Sequence, residues 1–298
     1  MYFKKSILSC LFLCLLFLYS LASDTIKVNY TKKVLVGGGS LIAYTGSLAY
    51  LNYLWYQPYR SSQFHFFNDN GEWFKMDKFG HSFTAFYATH YLNAIYQWAG
   101  IKHSVWWASA VSFSYLLNIE ILDGFSSGWG FSTGDLISNT AGIGLFWIHH
   151  QLDERLFVPK FSFYPTHYAA LNPTLLGQNF SEQIVKDYNG QIYWLSITPF
   201  YQWKKEMEWL CLSIGYGIDG CIGARSNVFT RNGILYDYSN ISRQQQFYLS
   251  IDIDLSKIKT QKKWLKTIFQ SINFLKIPAP TLEWKGNNLY FRPLLMAN

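Results

Sequence analysis

Gln246-Phe247-Tyr248-Leu249-Ser250-Ile251-Asp252-Ile253-Asp254-Leu255 alternates without a break. Phe247, Leu249, Ile251, Ile253 and Leu255 fall on one side, and Gln246, Tyr248, Ser250, Asp252 and Asp254 on the other. That two-residue period belongs to a half-buried antiparallel strand. Leu210–Asp219 repeats it, with Leu210, Leu212, Ile214, Tyr216 and Ile218 facing Cys211, Ser213, Gly215, Gly217 and Asp219. Gln191–Trp203, interrupted by Pro199, and Asn288–Leu295 predict further strands, about five in all after Val158. A closed outer-membrane barrel needs at least about eight. A sheet lying against helices or against a membrane surface is therefore expected.

Lys257–Lys276, between these strands, has another period. Leu265, Ile268, Phe269, Ile272 and Leu275 recur at helical spacing, Lys257, Lys259, Lys262, Lys263 and Lys266 crowd its start, and no acid occurs from Leu255 to Leu282. A basic amphipathic helix with Trp264 at its polar boundary suits a membrane interface. A surface helix docked on the sheet with a solvated lysine face has the same pattern. Pro278 and Pro280 end the segment.

Towards the N-terminus the alternation disappears. Four apolar stretches of helical length run over Gly38–Tyr56, Ser82–Ala99, Ser104–Leu122 and Asp135–Gln151. Each approaches the roughly 20 residues that cross a bilayer. Each also carries polar residues, Asn52, His90, Asn93, Gln97, Ser112, Asn118 and Asn139 among them. The four stretches read either as membrane spans of a small bundle or as buried helices of a soluble one; length and aromatic content favour the membrane, and the small residues from Gly37 to Ala49 suit close helix packing in lipid. The fold class expected is α+β: a four-helix, membrane-embedded bundle over 34–157, then an antiparallel strand region over 158–298 that contains the amphipathic helix 257–276.

The first residues set the compartment. Lys4 and Lys5 precede an apolar run from Ile7 to Leu18, and Ser20-Leu21-Ala22-Ser23 offers small residues for cleavage. Residues 1–23 thus have the layout of a secretory signal peptide. Cleavage near Ala22 or Ser23 fits better than acylation at Cys10, because most of the apolar run follows that cysteine. Cys211 and Cys221 then remain, either a disulfide pair or two buried thiols. Half of the 298 residues are apolar, 19% are aromatic and 14% charged. The charged share of a soluble domain is roughly 25%. Such aromatic content excludes disorder. The net charge of +7 falls to +5 without Lys4 and Lys5. For an exported basic chain the expected partners are membrane lipid, anionic lipid above all, and other envelope proteins, and no nucleic acid.

Residues able to carry chemistry gather between Met76 and Gly144. Asp77 and His81 lie four apart, Glu120 and Asp123 three apart, Ser132 and Asp135 three apart, and Asp135 and Asn139 four apart. Each pair shares a helix face. A bundle could bring these carboxylates, the imidazole, the Asn139 amide and the Lys78 ammonium together at one end. Such residues act as general acid and base or hold a divalent metal. Bland roles exist too: Asp77 as an N-cap, Ser132-x-x-Asp135 as a capping box, and Lys78 paired with Asp123 or Glu120. His149 and His150 suit a helix C-terminus. Glu120 and Asp123 fit such roles least, because two acids in a last turn oppose the helix dipole and call for a nearby cation. No cofactor motif is evident. Gly215-Tyr216-Gly217-Ile218-Asp219-Gly220 spells a dinucleotide fingerprint, but no helix pattern follows it, and it reads as a strand and turn.

Asp77-Lys78-x-x-His81, Glu120-x-x-Asp123-Gly124, Gly130-Phe131-Ser132-x-x-Asp135 and Asn139-x-x-Gly142 together resemble the YfiM-like family, a domain of unknown function (2279) found in uncharacterised envelope proteins. The resemblance spans 77–144. The same order more loosely resembles VanZ-like membrane proteins, which tend to have Gln at the position of Asp123 and a basic residue in the loop that here reads Gly128-Trp129-Gly130. The function expected is that of an exported envelope membrane protein with a structural or assembly role. The alternative is a membrane enzyme acting on lipid-linked or cell-wall material. In that case His81, Glu120, Asp123 and Asp135 would be catalytic, and Lys78, Asp77, Asn139 and Trp129 would contact substrate.

Overall fold

A computed structural model describes residues 30–52, 56, 61–152, 156–199, 205–231 and 233–294. The signal peptide expected over 1–23 lies outside them. The chain divides into two compact units, one of residues 1–69 and 81–148, the other of residues 70–80 and 149–298. The architecture is α+β, with helices followed by an antiparallel sheet.

The first unit is built on α1 (Tyr30–Leu51), most of α2 (Met76–Trp98), α3 (Ser104–Gly124) and α4 (Thr133–Leu152). Of these, α1 and α3 are long and apolar enough to cross a membrane. The buried positions of α3 are Ser104, Ala108, Ser112, Leu116, Asn118, Glu120 and Gly124, a stripe that is mostly small or polar. On α4, Asp135, Asn139, Gly142, Ile143 and Phe146 turn inward. Large apolar side chains, including Ile42, Ile95, Trp98, Trp106, Ile137 and Ile148, are exposed. Close contact depends on Gly142: a Cβ there would lie 2.1 Å from the Ser82 carbonyl oxygen and 2.8 Å from Ala85 Cβ. Phe86 stacks edge-on with Phe146 beside it. Asn118 Nδ2 donates to Tyr44 Oη (2.7 Å), and Trp147 Nε1 to Ser109 Oγ (2.9 Å).

The second unit holds a six-stranded antiparallel sheet in the order β1-β2-β3-β6-β7-β8: β1 Phe157–Phe163, β2 Gln191–Ile197, β3 Leu210–Asp219, β6 Gln244–Ile253, β7 Thr281–Lys285 and β8 Asn288–Arg292. A separate hairpin pairs β4 (Val228–Arg231) with β5 (Ile234–Asp237). Eight strands among the described residues exceed the five expected. Those missed are short or, like β1 with Pro159, lack a clean alternation.

The sheet is strongly curled. Lys160 on β1 reaches Asp252 on β6 at 3.1 Å, although two strands lie between them. Neighbouring strands sit about 4.8 Å apart and the register sets Asp252 four residues beyond the row of Lys160, so a flat sheet would hold the two Cα atoms roughly 19 Å apart, more than the two side chains span. Glycine makes the curl possible: a Cβ on Gly215 would meet the Trp194 ring at 2.6 Å. The concave side combines a buried cluster of Ile192, Trp194 and Tyr248 with a polar network. Asp252 receives Lys160, Lys276 (3.7 Å) and the Ser196 hydroxyl (2.7 Å), while Gln246 and Arg292 both reach Glu283 at 2.8 Å. The convex side is apolar and exposed. In register across β3, β6, β7 and β8 lie Ile214, Leu249, Leu282 and Phe291, and beside them Tyr216, Phe247, Trp284 and Leu289. All but Tyr216 are 39–66% exposed. Two-residue alternation is thus present as expected, with its faces inverted: the apolar side faces out.

The free edge of β1 is partly covered, since Phe161 N–H donates to Phe274 O and Lys276 N–H to Phe161 O. A second core joins Trp73, Met76, Tyr168, Leu176, Ile218, Cys221 and Ile222.

One expectation needs correcting, and one open alternative is decided. The amphipathic helix is shorter than 257–276: a 3-10 turn covers Leu255–Lys257, and α5 runs Lys263–Ile272 with no buried residue. Cys211 and Cys221 are free buried thiols, not a disulfide. They flank the same strand, and ten residues of extended chain at about 3.3 Å each hold them far beyond bridging distance. Burial pushes both thiols up to about 11.

Candidate functional site

Three helices of the first unit bring their polar residues together. His81 on α2 sits with its Nδ1 3.1 Å from Asn139 Oδ1 and 3.7 Å from Glu120 Oε1, and its Nε2 3.6 Å from Asp135 Oδ1. Glu120 is 1% exposed, Asp135 5% and Asn139 not at all. The group that the acids at the end of α3 meet is a histidine 39 residues earlier in the chain. Its Nδ1 faces the Asn139 oxygen and its Nε2 the Asp135 carboxylate, an arrangement in which a cation could be shared by Nε2 and Asp135. Glu120 Oε1 and Asn139 Nδ2 are buried without a hydrogen-bond partner.

The loop between α3 and α4 sets the spacing of Glu120 and Asp135. Helix α4 starts from a cap in which the Asp135 N–H donates to Ser132 Oγ (3.1 Å). The Ser132 hydroxyl donates in turn to Asp69 Oδ1 (2.8 Å), and its backbone N–H bonds Glu120. Residues 61–69 run along this loop. Ser62 N–H donates to Phe125 O, His65 N–H to Gly124 O and Phe67 N–H to Phe131 O, while Phe131 N–H returns to His65 O. His65 Nε2 lies 2.7 Å from the Trp129 carbonyl oxygen. Gly124 and Gly130 allow the approach: a Cβ at either would come within 2.5 Å of a side chain in 61–69.

Of the residues singled out in the sequence, His81, Glu120, Asp135 and Asn139 meet. Asp123 is held by the Tyr56 hydroxyl. Trp129 is half-buried and serves the loop through its carbonyl. Asp77 and Lys78 belong to the second unit. Asp77 lies in the first turn of α2 and is not its N-cap. It accepts from Tyr188 Oη (2.7 Å) and pairs with Lys78 (3.2 Å), an acid that the sequence reading did not choose for that lysine. The lysines of 257–266 and Trp264 line the start of α5, where Trp264 is 61% exposed. His65 and Asp69 were missed because they sit in a stretch without periodicity, and Tyr56 because it closes an apolar stretch where nothing marks a partner for Asp123.

Residues 65–150 match the family model described as "Predicted periplasmic lipoprotein (DUF2279)". This bears out the YfiM-like resemblance, and the match begins at the missed His65. The looser likeness to VanZ-like proteins has no support. No curated protein and no solved structure matches the chain.

Proposed function

Starting from a segment that matches a family of predicted periplasmic lipoproteins, we propose that this is an exported cell-envelope membrane protein with a structural or assembly role. The helices of the first unit sit in the membrane, and the His81 cluster ties them together. One observation carries this reading: beside its buried clusters around Tyr96 and Leu116, that unit buries polar side chains and exposes large apolar ones. Glu120, Asp135, Asn139, Asn118 and Ser112 are buried, while Trp106, Ile137 and Ile148 are exposed. A bundle in water turns its apolar stripe inward. Lipid reverses the arrangement, with small and polar side chains between helices.

Alkaline carbonate extraction of membranes tests the proposal. The chain is expected to stay in the pellet until detergent is added. Release of the intact protein by carbonate or high salt would sink it.

A second reading has its own support in the two unpartnered buried atoms of Glu120 and Asn139. Here the cluster works on lipid-linked or cell-wall material, with His81, Glu120 and Asp135 as acid, base or ligands to a divalent metal. Metal analysis of the purified protein and the His81→Ala and Glu120→Gln variants separate the two. Variants that stay folded but lose an envelope phenotype favour the enzyme. Variants that fail to fold or to stay in the membrane favour the structural role.

A further inference from the structure

We infer that the convex face of the curled sheet is a lipid-contacting surface, seated in the acyl layer of an anionic bilayer. The inference concerns the second unit and stands apart from the placement of the helices. Its outward rows, from Ile214 through Leu249 to Phe291, carry no charged side chain. The polar residues of the same strands are buried and satisfied on the concave side, by Lys160, Lys276 and Ser196 around Asp252 and by Gln246 and Arg292 at Glu283. The strands therefore cannot turn over to offer water a polar face without opening that network. An exposed apolar face of this extent marks an interaction site.

Charge complementarity selects the occupant. From Leu255 to Leu282 the chain carries Lys257, Lys259, Lys262, Lys263 and Lys266 and no acid, and it leads into an amphipathic helix none of whose residues is buried. Ile268 is 44% exposed there and Trp264 61%. A helix with unburied apolar positions and a lysine-rich start fits anionic headgroups over acyl chains. Among the described residues the strands end at a free edge at β8, so they rest against the bilayer and do not cross it. The sheet thus presents one lipid-facing wall and not a closed barrel.

Spin labels on the full-length chain, reconstituted into vesicles of phosphatidylcholine and phosphatidylglycerol, test this. Labels are placed one at a time by Leu249→Cys, Ile251→Cys and Phe291→Cys on the convex face, by Ile268→Cys on α5, and by Ile148→Cys on α4 as a marker for the other unit. The buried native thiols stay unlabelled. The expected result is collision with oxygen and loss of collision with a water-soluble nickel complex at the three sheet positions and at Ile268. Nickel access at the sheet positions with Ile148 still protected overturns the inference and leaves the proposed function standing. Nickel access everywhere, Ile148 included, overturns both. Sheet positions shielded from oxygen and nickel alike mean that a protein, such as a second copy, covers the face, and this too overturns it.

Discussion

Replacing Asp252 by Asn should cost more than any other single isosteric change in the sheet. The carboxylate is 1% exposed and stands between two lysine ammonium groups, Lys160 at 3.1 Å and Lys276 at 3.7 Å. At an effective dielectric of about 20, each of these attractions amounts to roughly 5 kcal/mol before desolvation. The amide removes both and leaves two buried cations on the concave side. Some of the loss is offset, since Lys160 keeps the Ile253 carbonyl (2.6 Å) and Lys276 those of Ile251 and Ile277 (both 2.8 Å). The net cost expected is about 3–5 kcal/mol, the usual cost of leaving a buried charge uncompensated. Adding Lys160→Met should recover at least half of it, because only one cation then remains, still held by carbonyls.

Burial already pulls the Lys276 ammonium below the ordinary lysine value, with Asp252 acting against it. In the variant the folded state holds that proton still less well than the unfolded chain. The unfolded state then binds more protons, stability rises with pH, and the deficit shrinks towards alkaline conditions. Equilibrium unfolding in detergent, followed by the fluorescence of the tryptophans, measures all three quantities; Trp194 lies 5.1 Å from Lys276. A loss under about 1 kcal/mol, or a double variant no more stable than Asp252→Asn, would refute the view that this network sustains the curl.

Gly142→Ala puts a Cβ against the Ser82 carbonyl oxygen and should destabilise by about 1–3 kcal/mol, whereas Gly38→Ala, with nothing within 4 Å, should be neutral or gain helix propensity. Thermal unfolding of the two in one detergent checks this, and equal effects would refute the close contact. Cys211 and Cys221 should resist N-ethylmaleimide until denaturant is added, and the mass of the chain should not change on reduction. Burial raises the Asp187 carboxyl above its ordinary value despite hydrogen bonds from Thr166 and Asn189. The folded state therefore holds this proton at a pH where the unfolded chain has lost it. Its contribution to stability should fall as pH rises from about 3.9 through the raised value, and Asp187→Asn should flatten that slope in unfolding titrations.

The central strands were legible because alternation survives any tertiary setting, and both β3 and β6 appear where the period places them. Alternation has no sign, however. Nothing in Phe247, Leu249 and Ile251 says whether their side looks into a core or out of one, and the sheet turned out inverted. Strand β1 was hidden for a related reason: Phe157 to Lys160 are buried at every position, which erases the period. Within the site, helical offsets such as Asp135 to Asn139 could be read, because they are local geometry. The pairing of His81 with Asn139 spans 58 residues and depends on Gly142 drawing α2 and α4 together. Counting cysteines left a disulfide and two buried thiols open, and only the strand between them decides for the thiols.

The strand order also bears on how the chain reaches its place. Between β3 and β6 the chain makes the β4–β5 excursion, and between β6 and β7 it passes through α5 before Phe274–Lys276 closes on β1. Every pairing around β6 thus waits on distant segments, and the alternating apolar rows stay uncovered during that delay. On the lipid-facing reading proposed above, refolding without detergent or lipid leaves those rows open to water and favours aggregation.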